Sequence, residues 1–422
     1  MVKGNRRKIS YFLIFLAGLA VLVILFTRGT KTSGAWKDPG IADSGQDLDV
    51  DTPVRAVPDV PPFREFAAYM DSELDSSYTV GAAYTLVHGG EVCFTRTFGE
   101  RKKGSGLEID DHTLFRLASV SKGFAGALAC MLDQEGVLSL DDRVVDHYPG
   151  FRLKDSASTA DMTVRNLLSH TTGLVPFAFD NLVEAGEELS HIVERLDEVE
   201  ISGPPGTLYG YQNVTFSMFD PIVRRVTGTP YEVLVARKIF EPLGMEDACV
   251  GPAQGTAGLD MACPHIRGRG GYIALDPHEG YYNVLPAAGV SASISDMGQW
   301  LLALLGNKPG VFPDTIREML AEPVIYTPLK YRYTRYWKPF RERYYSLGWR
   351  IYLYRGRKIM YHGGYIQGYR AEIGICPEED VGIAFLQNSP NSLASKVVPG
   401  FFDLYFDYLD NVRTGGMEAP GD

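Results

Sequence analysis

In Phe115-Arg116-Leu117-Ala118-Ser119-Val120-Ser121-Lys122 a serine and a lysine stand three residues apart at the opening of a helical pattern. Phe124, Ala125, Leu128, Met131 and Leu132 share one face of that pattern, and Gly136 stops it. Residues three apart on a helix are neighbours, so Ser119 and Lys122 project from the same face. An unprotonated Lys122 amine can then take the hydroxyl proton as Ser119 attacks an acyl carbon, with peptide N–H groups at the helix start facing the oxyanion. A lone Ser-X-X-Lys pair arises about once by chance in a chain of this length, so its meaning depends on what else the chain carries.

Two further clusters follow. Pro205-Gly206-Thr207-Leu208-Tyr209-Gly210-Tyr211-Gln212-Asn213 holds a Tyr-X-Asn, and Tyr361-His362-Gly363-Gly364 ends a strand-like run. Ser-X-X-Lys, Tyr-X-Asn and His-X-Gly in that order resemble the serine β-lactamase-like superfamily, which includes class C β-lactamases, certain D,D-carboxypeptidases, D-aminopeptidases and related esterases. Leu167-Leu168-Ser169-His170-Thr171-Thr172-Gly173-Leu174, Phe240-Glu241-Pro242-Leu243-Gly244-Met245 and Ala288-Gly289-Val290-Ser291 are similar to further family phrases, and the likeness spans about residues 63–411.

The resemblance implies an α+β fold: an antiparallel five-stranded sheet with flanking helices, a helical lobe, and the site between them. It also implies that Ser119 is the nucleophile, that Lys122 and Tyr211 share proton transfer, and that Asn213 bonds Lys122 and the substrate amide. The backbone N–H groups of Ser119 and Tyr365 would form the oxyanion hole, and Gly363 and Gly364 would let a substrate lie against the strand. His362 stands where class C β-lactamases carry a lysine that holds the substrate carboxylate. An unperturbed imidazole is only about a quarter charged at pH 7, so His362 is expected to be a weak, pH-dependent carboxylate anchor.

The residues themselves suggest the same architecture. β-rich runs at 78–87 and 91–98 flank His88-Gly89-Gly90, a hairpin turn, and runs at 349–354, 358–361, 370–375 and 381–387 read as an antiparallel meander. Between them, Thr229-Pro230-Tyr231-Glu232 reads as a capping box opening a helix to about Phe240. A last helix is expected from about Ser392 to Tyr408, with an apolar face that needs a sheet to cover. One sheet built from both chain ends, covered by helices, satisfies all of these.

Lys3, Arg6, Arg7 and Lys8 precede an uncharged run at 9–27, which Arg28 ends. A helix of that length spans roughly 28 Å, which suits a retained membrane anchor better than a cleaved signal, although Ser33-Gly34-Ala35 offers a cleavage site. The expected organisation is an anchor at 1–31, a disordered tether at 32–62, a catalytic domain at 63–411 outside the cytoplasm, and a flexible tail at 412–422. The net charge of −11 argues against a nucleic-acid partner. Five cysteines without a C-x-x-C pair suggest neither a zinc site nor an essential disulfide. No cofactor or metal is called for, because no His-rich or carboxylate cluster stands at ligand spacing.

His170 reads as a structural histidine, and the basic and aromatic stretch 326–345 as a solvated excursion over the surface. The function expected is hydrolysis of a small peptide or ester acyl substrate. A class C-like β-lactamase and a non-catalytic scaffold are the alternatives, and the oligomeric state is left open.

Overall fold

The computed structural model describes residues 60–253, 260–328, 334–338 and 342–414, all within one unit of the chain, Pro53–Asp422. Its first helix, α1 (Pro61–Ser76), begins two residues before the expected domain start, with proline in its first turn where a missing N–H leaves nothing unpaired. Strands β1 (Gly81–His88) and β2 (Glu91–Gly99) form the N-terminal hairpin. Gly89 and Gly90 both hold positive φ, +60° and +81°, which a two-residue turn of this hand requires.

The remaining strands of the main sheet are β3 (Ile325–Tyr326), β4 (Glu342–Tyr345), β5 (Arg350–Tyr354), β6 (Arg357–Ile366), β7 (Tyr369–Cys376) and β8 (Val381–Gln387). Their order is β2-β1-β8-β7-β6-β5-β4-β3, antiparallel throughout. The β1–β8 ladder, from Ala82 opposite Gln387 to His88 opposite Val381, joins the two chain ends. The implied five strands thus lie within an eight-stranded sheet, lengthened at one edge by β5, β4 and β3.

Successive strand residues face opposite sides, and each side has its own core. Ala82, Tyr84, Leu86, Ile383 and Phe385 pack with Phe63, Phe66 and Met70 of α1 and with Val397, Phe401 and Phe402 of α4 (Ala394–Arg413). On the other face Ala83, Val87, Ala384 and Leu386 meet α2 (Ser121–Gln134), α3 (Ile294–Leu304) and the helical lobe. Apolar residues surround α2, whose residues from Ser121 to Leu132 are all buried, so Lys122 stands within the core. All five cysteines carry free thiols.

Several expectations need correction. The helix after Pro230 runs from Tyr231 through a π-helical turn to Leu243, but no capping box opens it. Pro230 occupies the cap position and has no N–H for a glutamate to reach, while Thr229 N–H bonds Thr227 Oγ1 at 3.0 Å. The stretch 326–345 is not wholly a solvated excursion. It supplies β3 and β4, buries Tyr345, and seats Trp337 with ring centroids 5.2–5.4 Å from Tyr352, Tyr354 and Tyr361.

No helix among the described residues is long and apolar enough to cross a membrane. The expectation of a membrane-anchored chain with an extracytoplasmic catalytic domain is corrected accordingly, since the helices described here cover the sheet and build the lobe. The run at 9–27 on which that expectation stood lies outside the described residues, as do 32–59 of the tether and the tail from 415.

Candidate active site

Ser119 sits in a single 3-10 turn, Ala118–Val120, just ahead of α2, and Ala118 before it is held at φ +48°. A non-glycine residue in this region is strained and persists only where its surroundings over-determine it. Here they do: Leu117 N–H bonds Val290 O at 2.9 Å, and Val290 N–H bonds Ser121 Oγ at 3.0 Å. The segment is therefore fastened to the short strand Val290–Ala292 on both sides of the serine.

Lys122 is fully buried and donates to Asn213 Oδ1 at 2.8 Å and to Ala287 O at 3.0 Å. Burial holds its amine well below the usual lysine range; the Asp180 carboxylate opposes that shift and the Arg350 guanidinium adds to it. A neutral amine has two N–H donors and one lone pair. Both donors are used, so the lone pair remains for a proton.

Tyr211 completes the group, donating its hydroxyl to Ser119 Oγ at 2.9 Å. Lys122 Nζ lies 4.7 Å from its ring centroid and the Arg350 guanidinium carbon 5.8 Å. His170 holds the Tyr211 loop from behind. Its carbonyl accepts Gly210 N–H at 2.8 Å, its Nδ1 accepts Gln212 N–H at 3.2 Å, and its ring centroid lies 4.2 Å from that of Tyr211. Burial above all, with the nearby Lys122, His362 and Arg350 adding to it, keeps this imidazole well below its ordinary pKa, and Nδ1 accepting from Gln212 leaves the ring proton on Nε2.

The structure brings Ser119, Lys122, Tyr211, Asn213 and the His362–Tyr365 segment together. A Cβ on Gly364 would lie 2.1 Å from Leu117 O and 3.1 Å from Ser119 N, so β6 passes directly against the backbone at Ser119. Gly363 faces the other side, where a Cβ would lie 2.6 Å from Glu372 Oε2. Tyr365, next along, is exposed.

His362 differs from expectation. It is 1% exposed, with Nδ1 3.0 Å from Gly363 O and Nε2 3.1 Å from Tyr345 Oη, so Nδ1–H donates and Nε2 accepts the phenol proton. Burial, with the Arg350 and Lys122 charges, holds it well below its usual pKa. A neutral ring with both nitrogens engaged cannot anchor a carboxylate by charge, and the pH-dependent anchoring expected of it is withdrawn.

Three residues of this constellation escaped the sequence reading. Tyr345 is buried against His170 and His362, with ring centroids 4.7 and 6.0 Å away. Arg350, on the first residue of β5, reaches Tyr209 Oη at 3.4 Å. Asp180 accepts Asn213 Nδ2–H at 3.0 Å. An arginine at the head of an apolar strand and an aspartate beside Phe177 and Phe179 were weak signals, since neither spacing marks a contact far along the chain.

Ser119, Lys122 and Tyr211 thus meet where the antiparallel sheet joins the helical lobe. Residues 66–401 match the Beta-lactamase family model, and the chain belongs to that family. It is 27% identical to unguisins hydrolase ungD of Aspergillus violaceofuscus over 346 residues, 71% of this chain, and spans 56% of the length of that relative. Its fold is similar to the octameric penicillin-binding protein homologue from Pyrococcus abyssi, with TM-score 0.69 and 22% identity over 82% of this chain and 77% of the other. It is also similar to D-amino acid amidase from Ochrobactrum anthropi SV3, with TM-score 0.68 and 22% identity over 84% of this chain and all of the other.

Proposed function

We propose that the chain hydrolyses a peptide or ester acyl substrate through an acyl-enzyme on Ser119. The observation that carries this reading is the Tyr211 hydroxyl 2.9 Å from Ser119 Oγ, beside a buried Lys122 whose two amine donors are already engaged. Lys122 accepts the Ser119 proton as Oγ attacks the acyl carbon, and the N–H groups of Ser119 and Tyr365 receive the oxyanion. Tyr211 then gives its proton to the leaving oxygen or nitrogen and regains one from Lys122. In the second half a water attacks the ester carbon and gives a proton to the same pair, which returns one to Ser119 Oγ as the acyl C–O bond breaks.

Amide substrates of amino acids are a reasonable class to try first, given the D-amino acid amidase among the similar folds. Penicillin turnover is expected to be slow, because the neutral, enclosed His362 offers no cation for the β-lactam carboxylate. A scaffold would have no need of a depressed lysine beside a hydrogen-bonded serine. The test is mass spectrometry after exposure to a fluorophosphonate: one adduct on Ser119 supports the reading, and an adduct elsewhere, or none, removes it.

A further inference from the structure

Asp180 opens the short helix Asp180–Glu184, behind Phe179 held at φ +60°. It is absent from the serine, lysine, tyrosine and histidine–glycine clusters, yet it ends a chain of contacts that begins at the base. Lys122 Nζ donates to Asn213 Oδ1 at 2.8 Å, and Asn213 Nδ2 donates to Asp180 Oδ2 at 3.0 Å.

An asparagine amide has an oxygen at one end and two N–H groups at the other, and the two orientations fill nearly the same space. An ionised carboxylate only accepts, so it can be met only by the N–H end. With Asp180 in place the oxygen must turn to Lys122, which then spends an N–H on it. Turned the other way, the amide would donate to the Lys122 lone pair and occupy the one orbital that can take the Ser119 proton.

We propose that Asp180 is the positioning residue of this site, orienting the Asn213 amide so that Lys122 keeps its lone pair for the Ser119 hydroxyl. The inference rests on the acyl-enzyme reading above. A second effect follows from charge. The groups acting on Lys122 are the Asp180 carboxylate, which favours the ammonium, the Arg350 guanidinium, which disfavours it, the neutral His170 and His362 rings, and the Tyr211 phenol. Glu184 acts on Asp180 from one turn away, and Tyr281 Oη donates to Glu184 at 3.0 Å. Losing the carboxylate charge therefore lowers the pH at which Lys122 gives up its proton.

Two substitutions in the full chain separate these effects. Asp180→Asn can present a carbonyl oxygen to Asn213 Nδ2 without the charge, and Asp180→Ala removes the acceptor. Both are followed by kcat/KM against pH on a neutral ester, by thermal unfolding, and by NMR titration of 13Cε-lysine, with Lys122 assigned from Lys122→Met. For Asp180→Asn the acid limb and the Lys122 titration should move together to lower pH, with kcat above that limb within about tenfold of wild type. For Asp180→Ala kcat should fall by about 10- to 100-fold at every pH, as is typical when an outer partner of a reacting group is lost. An unmoved Lys122 titration in Asp180→Asn, or wild-type kcat in a folded Asp180→Ala, would overturn the proposal. Should Asp180→Ala not fold, Asp180→Asn decides alone. If wild type takes no fluorophosphonate adduct on Ser119, the acyl-enzyme reading fails, while the lysine titration still decides whether Asp180 acts on Lys122.

Discussion

Gly364→Ala perturbs the closest backbone approach in the site. The added Cβ would lie 2.1 Å from Leu117 O, against at least 3.4 Å for ordinary contact, so strand β6 must retreat by about 1.3 Å or push the 117–119 segment away. Leu117 cannot yield freely, because its N–H is bonded to Val290 O. The strand is therefore expected to move, taking with it the Tyr365 N–H proposed for the oxyanion hole. Loss of one oxyanion donor lowers kcat by about 10²–10³-fold, roughly 2.7–4 kcal/mol in the barrier, and a displacement near 1 Å has a comparable effect on its own. Overpacking adds about 1–3 kcal/mol of lost stability. The assay is kcat and KM on a neutral ester, with fluorophosphonate labelling rate and thermal unfolding measured on the same preparation. Gly363→Ala serves as the comparison, since its Cβ would press on the Glu372 carboxylate across the sheet, and it should reduce stability more than kcat. A folded Gly364→Ala variant with kcat within threefold of wild type would refute the oxyanion-hole geometry.

Ser119→Ala should abolish fluorophosphonate labelling and turnover, and Lys122→Ala should lose nearly as much because the two act as a unit; rapid turnover in either would contradict the mechanism. Tyr211→Phe should lower kcat by about 10²–10⁴-fold, the usual range for a proton-transfer group, with folding kept by the ring's contact with His170; an unchanged kcat would remove Tyr211 from catalysis. His170 and His362 are both held well below their ordinary pKa, so the unfolded chain binds more protons than the folded one below about pH 6.5. Their stabilisation should be complete above that pH and fall as pH drops, by up to about 1.4 kcal/mol per pH unit for each ring, in urea unfolding; a slope that His170→Asn and His362→Asn leave intact would count against it. A chain beginning at Val60 should stay folded and active, whereas one lacking α1 should not fold, because Phe63 stacks on Phe401 and Tyr405 and Phe66 meets Phe401 edge-on in the aromatic core; measured activity of the second would disprove this.

Much of this molecule was legible in its sequence because the relevant patterns are local. The β-rich runs that become 81–88 and 381–387, the glycine pair at 89–90 and the helical spacing after Ser121 each depend on neighbours within a few residues, and backbone geometry turns them into strands, turn and helix. The linear words Ser119 to Lys122, Tyr211 to Asn213 and His362 to Gly364 named the groups that meet, since each word is carried on one turn or one strand. Tertiary structure decided what those words alone leave open: which partners lie far along the chain, and how much water each group keeps. Asp180 reaches Asn213, Ala287 receives Lys122, and Tyr345 closes over His362 only once segments far apart along the chain are packed together. Burial is what lowers the pKa of both Lys122 and His362, and burial is a property of the packed chain rather than of any residue in it.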